Sequence, residues 1–211
     1  VLQKKGHNIT PKEHQATLIA ILLHDIGHGP FSHALEKSIV DNLSHEKISI
    51  MFMQELNDIF KGKLSLAIDI FTKKYKKPYL NQLISSQLDI DRLDYLNRDS
   101  FYSGVNEGII NSDRIISMLN VYNNELVVDY KGIYSIEKFI LARKLMYWQV
   151  YLHKTVLSAE HTLMNVLKRA KELAKKGVKI YVTPQFESFL YEKNNINSDF
   201  FIKHNLLQKF A

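Results

Sequence analysis

The chain has 211 residues, 45% of them hydrophobic, and 28 Lys and Arg against 22 Asp and Glu give a formal charge of +6. These values describe an ordinary globular protein, exclude disorder as the default, and favour anionic partners without choosing among nucleotides, nucleic acid and lipid headgroups. With no cysteine there are no disulfides and no thiolate ligands, so a bound metal must rely on imidazole nitrogen and carboxylate oxygen.

No apolar run approaches the roughly 20 residues of a membrane span, and Lys4-Lys5 lead into polar sequence rather than the apolar stretch of a signal peptide. A cytoplasmic location with no membrane partner is expected. The chain opens on Val1 and stops at Phe210-Ala211, just after an apolar, helix-like pattern, so a piece of a longer protein is expected.

The first strong element is "TPKEHQATLIAILLHDIGH", in which Thr10 is a helix N-cap, Pro11 occupies the first turn and Glu13 completes a capping box. A helix over about 11–26 follows and ends at Gly27; its near-continuous apolar run from Leu18 to Leu23 predicts burial on most sides. Further helices are predicted near 31–42, 45–60, 63–74, 79–97, 112–119 and 134–176, the last long enough to be broken. "MLNVYNNELVVDYKG" alternates about Asn123-Asn124 and predicts one hairpin, and "VKIYVTP" at 178–184 has the pattern of another strand. The fold class is mainly α with a minor β-hairpin and no repeats. The runs "TKKYKKP" and "KRAKELAKKGVK" are expected to be solvated faces, since they lack interleaved aromatics suited to base stacking.

"HDIGHGPFSH" at 24–33 packs three histidines and an aspartate into ten positions. On a helix His24 and His28 share a face, whereas His24 and Asp25 are about 100° apart and meet one ion only at the helix edge. Taken alone, the pair reads first as a helix-end histidine hydrogen-bonded by a neighbouring carboxylate. Downstream, "LDIDRLDYLNRDSFYSG" at 88–104 adds acidic residues, among which spacing alone does not rank Asp89 against Asp91. Ser44-His45-Glu46 reads as a capped helix start, Tyr95 by itself as core, and Arg92, Arg143 and Lys154 individually as surface charges.

Four blocks nevertheless fall in one order over residues 10–165: "LLHDIGHGPFSHALE", "SHEKIS", "LDIDRLDYLNRD" and "YLHKTV". In them the chain resembles the HD-domain phosphohydrolases, closest to bacterial relatives of the sterile-alpha-motif/HD-type deoxynucleoside triphosphate triphosphohydrolases. The resemblance implies a helical HD domain over residues 1–176 without its N-terminal segment, then the start of a C-terminal subdomain at 177–211. It makes His24, Asp25 and Asp91 ligands of a divalent ion (Mn, Fe, Mg, Ni, Co or Zn), with Asp91 preferred to Asp89.

By the same resemblance His28, His45 and Glu46 serve catalysis, and His33 contacts phosphate. Arg92, Arg143 and Lys154 hold the polyphosphate, while Tyr95, Asp99 and Tyr151 meet the sugar or base. The implied reaction is hydrolysis of a deoxynucleoside triphosphate to deoxynucleoside and triphosphate by a homo-oligomer. The family's upstream "H-x-x-R-x-x-H-S" motif has no counterpart here. Only His7 and His14 precede His24, so three ligands stand where four are expected. Two other readings remain: a related phosphohydrolase acting on nucleoside monophosphates or other phosphoesters, and a metal-free regulatory or nucleic-acid-binding module. Tyr95, Asp99, Arg143 and Lys154 favour the triphosphate, and nucleic acid is not the favoured partner.

Overall fold

A computed structural model describes residues 1–29 and 44–191; the helix expected at 31–42 lies outside them. The protein is mainly helical, with one two-stranded sheet among the described residues. It divides into two compact units: Val1–His24 with Met53–Val156, and Asp25–Phe52 with Leu157–Ala211.

In the first unit, α1 (Pro11–Leu23) starts as its sequence dictates. Thr10 Oγ1 accepts the Glu13 amide at 3.2 Å, and Glu13 Oε2 accepts the Thr10 amide at 2.8 Å. Two expectations for this helix need correction. It stops at Leu23, with a turn over 24–27, and it is not buried on most sides. Its buried residues are Glu13, Ala16, Thr17 and Ala20, one face at helical spacing, whereas Leu22 is 79% exposed. The physical reason is small side chains: Ala16 and Ala20 share a core cluster with Ala67 and Ile70 of α3 (Ser65–Phe71), which lets two helices approach closely, while Leu18 and Leu22 are left exposed.

Glu13 is buried and bonded further. Tyr75 donates to its Oε1 at 2.5 Å, and Lys77 Nζ lies 2.8 Å from Oε1 and 2.9 Å from Oε2. The run at 72–78 is therefore not simply a solvated face, because two of its members close over a buried carboxylate. Burial by itself pushes the Glu13 carboxyl up, but the bonds from Lys77, Tyr75 and Thr10 outweigh it and lower the pKa from 4.5 to about 2. The same hydrogen bond, followed by burial, raises the Tyr75 phenol to about 12.

A carboxylate held low in the folded state stabilises the fold fully above its unfolded pKa, and that contribution is lost as the pH falls through about 2. The shift corresponds to on the order of 3 kcal/mol. Glu13→Gln is expected to unfold at lower urea concentration than wild type at neutral pH, with the gap closing as the solution is acidified. A gap that does not change with pH would show that the charge is not what stabilises this corner.

The predicted helix at 79–97 is two helices, α4 (Pro78–Gln82) and α5 (Ile90–Ser103), separated by a turn. Asp89 breaks the continuity: its side chain accepts the Arg92 amide at 2.8 Å as the N-cap of α5, and the Ile90 amide bonds back to the Leu83 carbonyl. After α6 (Ser112–Met118), β1 (Leu119–Tyr122) pairs antiparallel with β2 (Glu125–Val128), Tyr122 opposite Glu125. Asn123 and Asn124 both take positive φ, 49° and 65°, the conformation that a two-residue hairpin demands.

The long helix expected over 134–176 is broken. α7 (Ile133–Met146) runs into a π turn over Tyr147–Tyr151, and a new helix starts at Lys154. The unit has two core clusters, one centred on Ala20, Met53, Ile70 and Leu80, the other on Leu93, Leu96, Ile115, Phe139 and Met146. Each fully buried large side chain contributes roughly 1.5–3 kcal/mol by leaving water.

α2 (His45–Ile59) begins in the second unit and α8 (Lys154–Lys175) ends there. Residues 178–183 form no strand; no second chain segment pairs with them among the described residues. Instead the Tyr191 hydroxyl accepts the Ile180 amide at 2.6 Å and donates to the Val178 carbonyl at 2.9 Å, from the end of α9 (Pro184–Tyr191). A side chain supplies what a partner strand would.

Candidate functional site

In the first unit His24 caps α1 in helical conformation, so its ring stays close to the last turn. Nδ1 lies 2.7 Å from the Ile21 carbonyl oxygen. A carbonyl only accepts, so Nδ1 carries a proton and Nε2 is the ring's ligand atom for a cation. That atom is 3.9 Å from Asp91 Oδ1, on the first turn of α5. Two donors on one ion with bonds near 2.1 Å lie no more than about 4.2 Å apart, so this nitrogen and oxygen fit a common divalent cation.

Asp89 and Asp91, equal by spacing, do different things. Asp89 is 2% exposed and accepts from the Ser86 amide, the Arg92 amide and the Arg92 guanidinium. It is consumed by the start of α5. Arg92 is drawn into the same cap, also donating to the Ser86 carbonyl, and its buried Nε has no hydrogen-bond partner among the described residues. Of the upstream histidines, His7 Nε2 sits 2.7 Å from Asn120 Oδ1, and His14 is exposed on α1.

Further along the first unit, Tyr95, Asp99, Arg143 and Tyr151 come together from α5, α7 and the π turn. The Tyr151 hydroxyl donates to Asp99 Oδ2 at 2.6 Å, and the Tyr95 and Tyr151 rings meet edge to face at 6.0 Å. Burial, then the bond to Asp99, pushes the Tyr151 phenol up; burial likewise raises Tyr95. Arg143 lies 5.7 Å over the Tyr147 ring, which packs edge to face on Tyr151 at 5.2 Å, and its Nη1 donates to Gln87 Oε1 at 3.1 Å. A half-buried aromatic wall with one cation at its edge suits a flat or sugar-like group bearing anionic charge. Lys154 opens α8 at the surface and is not part of this bonded cluster.

In the second unit Asp25, His28 and His45 place ligand atoms within 4.8 Å of one another. His28 Nε2 is 3.6 Å from Asp25 Oδ1, and the His28 and His45 rings stack at 4.0 Å with an interplanar angle of 14°. Gly27 makes this possible. Its amide donates to the buried Ser49 Oγ at 2.9 Å, and a Cβ there would lie 2.5 Å from the Ser49 backbone nitrogen and would also collide with the His45 carbonyl. Gly27 is thus not a left-handed helix cap but a point of close backbone approach. Ser44 Oγ accepts the Lys47 amide at 3.4 Å, so His45 and the exposed Glu46 open α2. His33 lies outside the described residues.

Sequence reasoning read Gly27 only as a helix end, and passed over Ser49, Gln87 and Tyr147. Tyr147 had a signal, since it lies four residues from both Arg143 and Tyr151 in "RKLMYWQVY". Ser49 and Gln87 had none, because each acts on a partner distant in sequence.

Residues 3–99 match the HD domain, and residues 110–181 match the HD associated region. A phosphohydrolase of Bacteroides thetaiotaomicron has a solved structure that superposes with a TM-score of 0.89 at 55% identity, over 98% of this chain and 50% of that one. Protein YwfO of Bacillus subtilis is 40% identical over 78% of this chain and 39% of its own length. A deoxynucleoside triphosphate triphosphohydrolase SAMHD1 homolog of Dictyostelium discoideum is 28% identical over 79% of this chain and 36% of its own. The chain therefore spans half or less of these three relatives. No helix of the described residues is long and apolar enough to cross a membrane. With the family's domain and its associated region in sequence, and a close solved neighbour over nearly the whole chain, this protein belongs to the HD-domain family and has the HD phosphohydrolase fold.

Proposed function

We propose that the protein hydrolyses deoxynucleoside triphosphates to deoxynucleoside and triphosphate, with a divalent ion held by His24, Asp25 and Asp91. The observation that carries this reading is the lock of Tyr151 on Asp99 beside Tyr95, with Arg143 at its edge. It is the kind of surface that a sugar with an anionic tail requires, and a simple phosphate ester would not need it. The relatives support the same direction, one being a phosphohydrolase by name and another a deoxynucleoside triphosphate triphosphohydrolase homolog.

The ion, when bound, supplies positive charge against the phosphate and acidifies water. The protein's own groups do the rest. Water adds to the α-phosphorus, the bond from phosphorus to the 5′ oxygen breaks, and the departing oxygen takes a proton. His28 and His45 are the proton carriers, since imidazole both accepts and donates near neutral pH. Asp25 orients His28 from 3.6 Å, and Glu46 adds an acidic group beside His45. Arg143 offers a fork of donors to the triphosphate, Lys154 a further cation, and Arg92 holds the start of α5, on which Asp91 sits. His33 is assigned to a phosphate.

Product analysis over a mixed nucleotide panel tests the chemistry. Free tripolyphosphate and deoxynucleoside should appear in equal amounts. Orthophosphate with nucleoside from monophosphates, and no triphosphate, would instead establish the phosphomonoesterase reading. Sugar choice depends on Tyr95: in Tyr95→Ala the ratio of deoxyribonucleotide to ribonucleotide kcat/KM is expected to fall, because the ring fills space that a 2′ hydroxyl would need. An unchanged ratio would make Tyr95 a core residue and nothing more.

A further inference from the structure

Of the described arginines, Arg92, Arg98 and Arg169 each pair with a carboxylate, that of Asp89, Asp94 and Glu172 respectively. Arg143 has two neutral partners instead. Its Nη1 donates to Gln87 Oε1 at 3.1 Å, and its guanidinium carbon lies 5.7 Å from the Tyr147 ring centroid. A guanidinium held by an amide and a ring keeps its whole charge for an incoming anion, whereas a carboxylate partner cancels much of it within the protein.

Gln87 is exposed, and a long side chain at a surface ordinarily holds nothing in place, because fixing it costs rotamer freedom. Its backbone, however, is fixed on both sides. Before it, the Ser86 amide donates to Asp89 Oδ2 at 3.1 Å, and the Ser86 carbonyl accepts the Arg92 guanidinium. After it, the Leu88 amide donates to Ser86 Oγ at 3.1 Å, and the Leu88 side chain packs against both core clusters. The cap that starts α5 therefore carries Gln87 just ahead of it and Asp91 on its first turn.

We propose that Gln87 is a positioning residue, which sets the Arg143 guanidinium beside the Tyr147 ring with its charge uncancelled, ready for the anionic tail of the ligand. This rests on the phosphate role given to Arg143 above. Arg92 enters the same task indirectly, since its guanidinium is taken up by Asp89 and Ser86 and so fixes the loop that carries Gln87. Because one cap holds both Gln87 and Asp91, the cation for the tail and a carboxylate for the metal ion are kept in one register. The neutrality of the amide is essential: a glutamate at this position has the same reach but competes with phosphate for the guanidinium.

Calorimetric titration of the intact protein with inorganic tripolyphosphate tests it, with thermal melts as the check on folding. Arg143→Met should weaken binding about tenfold or more. Gln87→Glu should raise the dissociation constant about tenfold, because its carboxylate occupies the guanidinium. Gln87→Met, which keeps the length and loses the acceptor, should raise it about threefold, and should add nothing in an Arg143→Met background. In turnover of a deoxynucleoside triphosphate, both Gln87 variants should raise KM by the same factors and change kcat less, as loss of binding common to ground and transition states does. Binding that falls in Arg143→Met but not in Gln87→Glu would overturn the positioning role and leave the proposed hydrolysis standing. Losses that add in the double variant would make Gln87 a direct ligand contact and overturn it as well. No loss in Arg143→Met would overturn the phosphate role of Arg143, and the positioning role with it.

Discussion

Asp91→Ala is expected to strip most of the bound divalent metal from the protein and nearly all of its hydrolytic activity, while the helical fold survives. Asp91 lies on the first turn of α5 with its side chain 39% exposed, so truncating it leaves no buried hole. What it removes is an oxygen 3.9 Å from Nε2, the ligand atom of the His24 ring. Loss of an outer partner of a metal ligand already costs about 10–100-fold in affinity, and loss of the ligand itself costs more.

Asp89→Ala is a contrasting control, and its effect belongs to stability rather than to metal. It deletes the cap of α5 and strands the Arg92 guanidinium, a loss on the order of 1–3 kcal/mol. Elemental analysis and thermal melts separate the two. Equal metal content in wild type and Asp91→Ala would sink the assignment of Asp91.

Gly27→Ala is the second large effect, although it adds only one methyl group. The new Cβ would meet backbone atoms of His45 and Ser49, and backbone does not yield as a flexible side-chain tip does. Either the turn carrying Asp25 and His28 or the first turn of α2 must move, so the His28–His45 stack opens. A displacement of about 1 Å in catalytic groups can cost about 100-fold in rate, and the overpacking itself costs roughly 1–3 kcal/mol. The expected result is a lower melting temperature together with turnover reduced by about two orders of magnitude. Wild-type turnover in Gly27→Ala would mean that the stacked histidines are not where the chemistry happens.

Much of the local structure was legible because its causes are local. Thr10, Pro11 and Glu13 specify a helix start within four residues, and two asparagines able to take positive φ specify the hairpin at 123–124. The motif blocks that mark the HD family are likewise contiguous in sequence, and so the family and the mainly helical class are legible there. Tyr95, Asp99 and Tyr151, which the resemblance gives to the sugar or base, lie side by side, since Tyr95 and Asp99 are a helical i, i+4 pair and Tyr151 closes on them.

Other features were decided only by packing. α1 buries alanines and leaves Leu22 in solvent because the neighbouring helix approaches through Ala67, a choice that hydrophobicity along one helix does not contain. Asp89 and Asp91 are indistinguishable as letters, yet one caps α5 and the other faces His24, because the break before Ile90 turns their side chains to different work. Sequence by itself determined the family, the helical class and the types of donor available to a metal. Tertiary structure alone decided which carboxylate faces His24, that Gly27 is held against Ser49, and that Lys77 guards a buried Glu13. The division has one physical origin: caps, turns and periodicity act over a few residues, whereas burial and hydrogen-bond satisfaction depend on groups that the chain brings together from far apart.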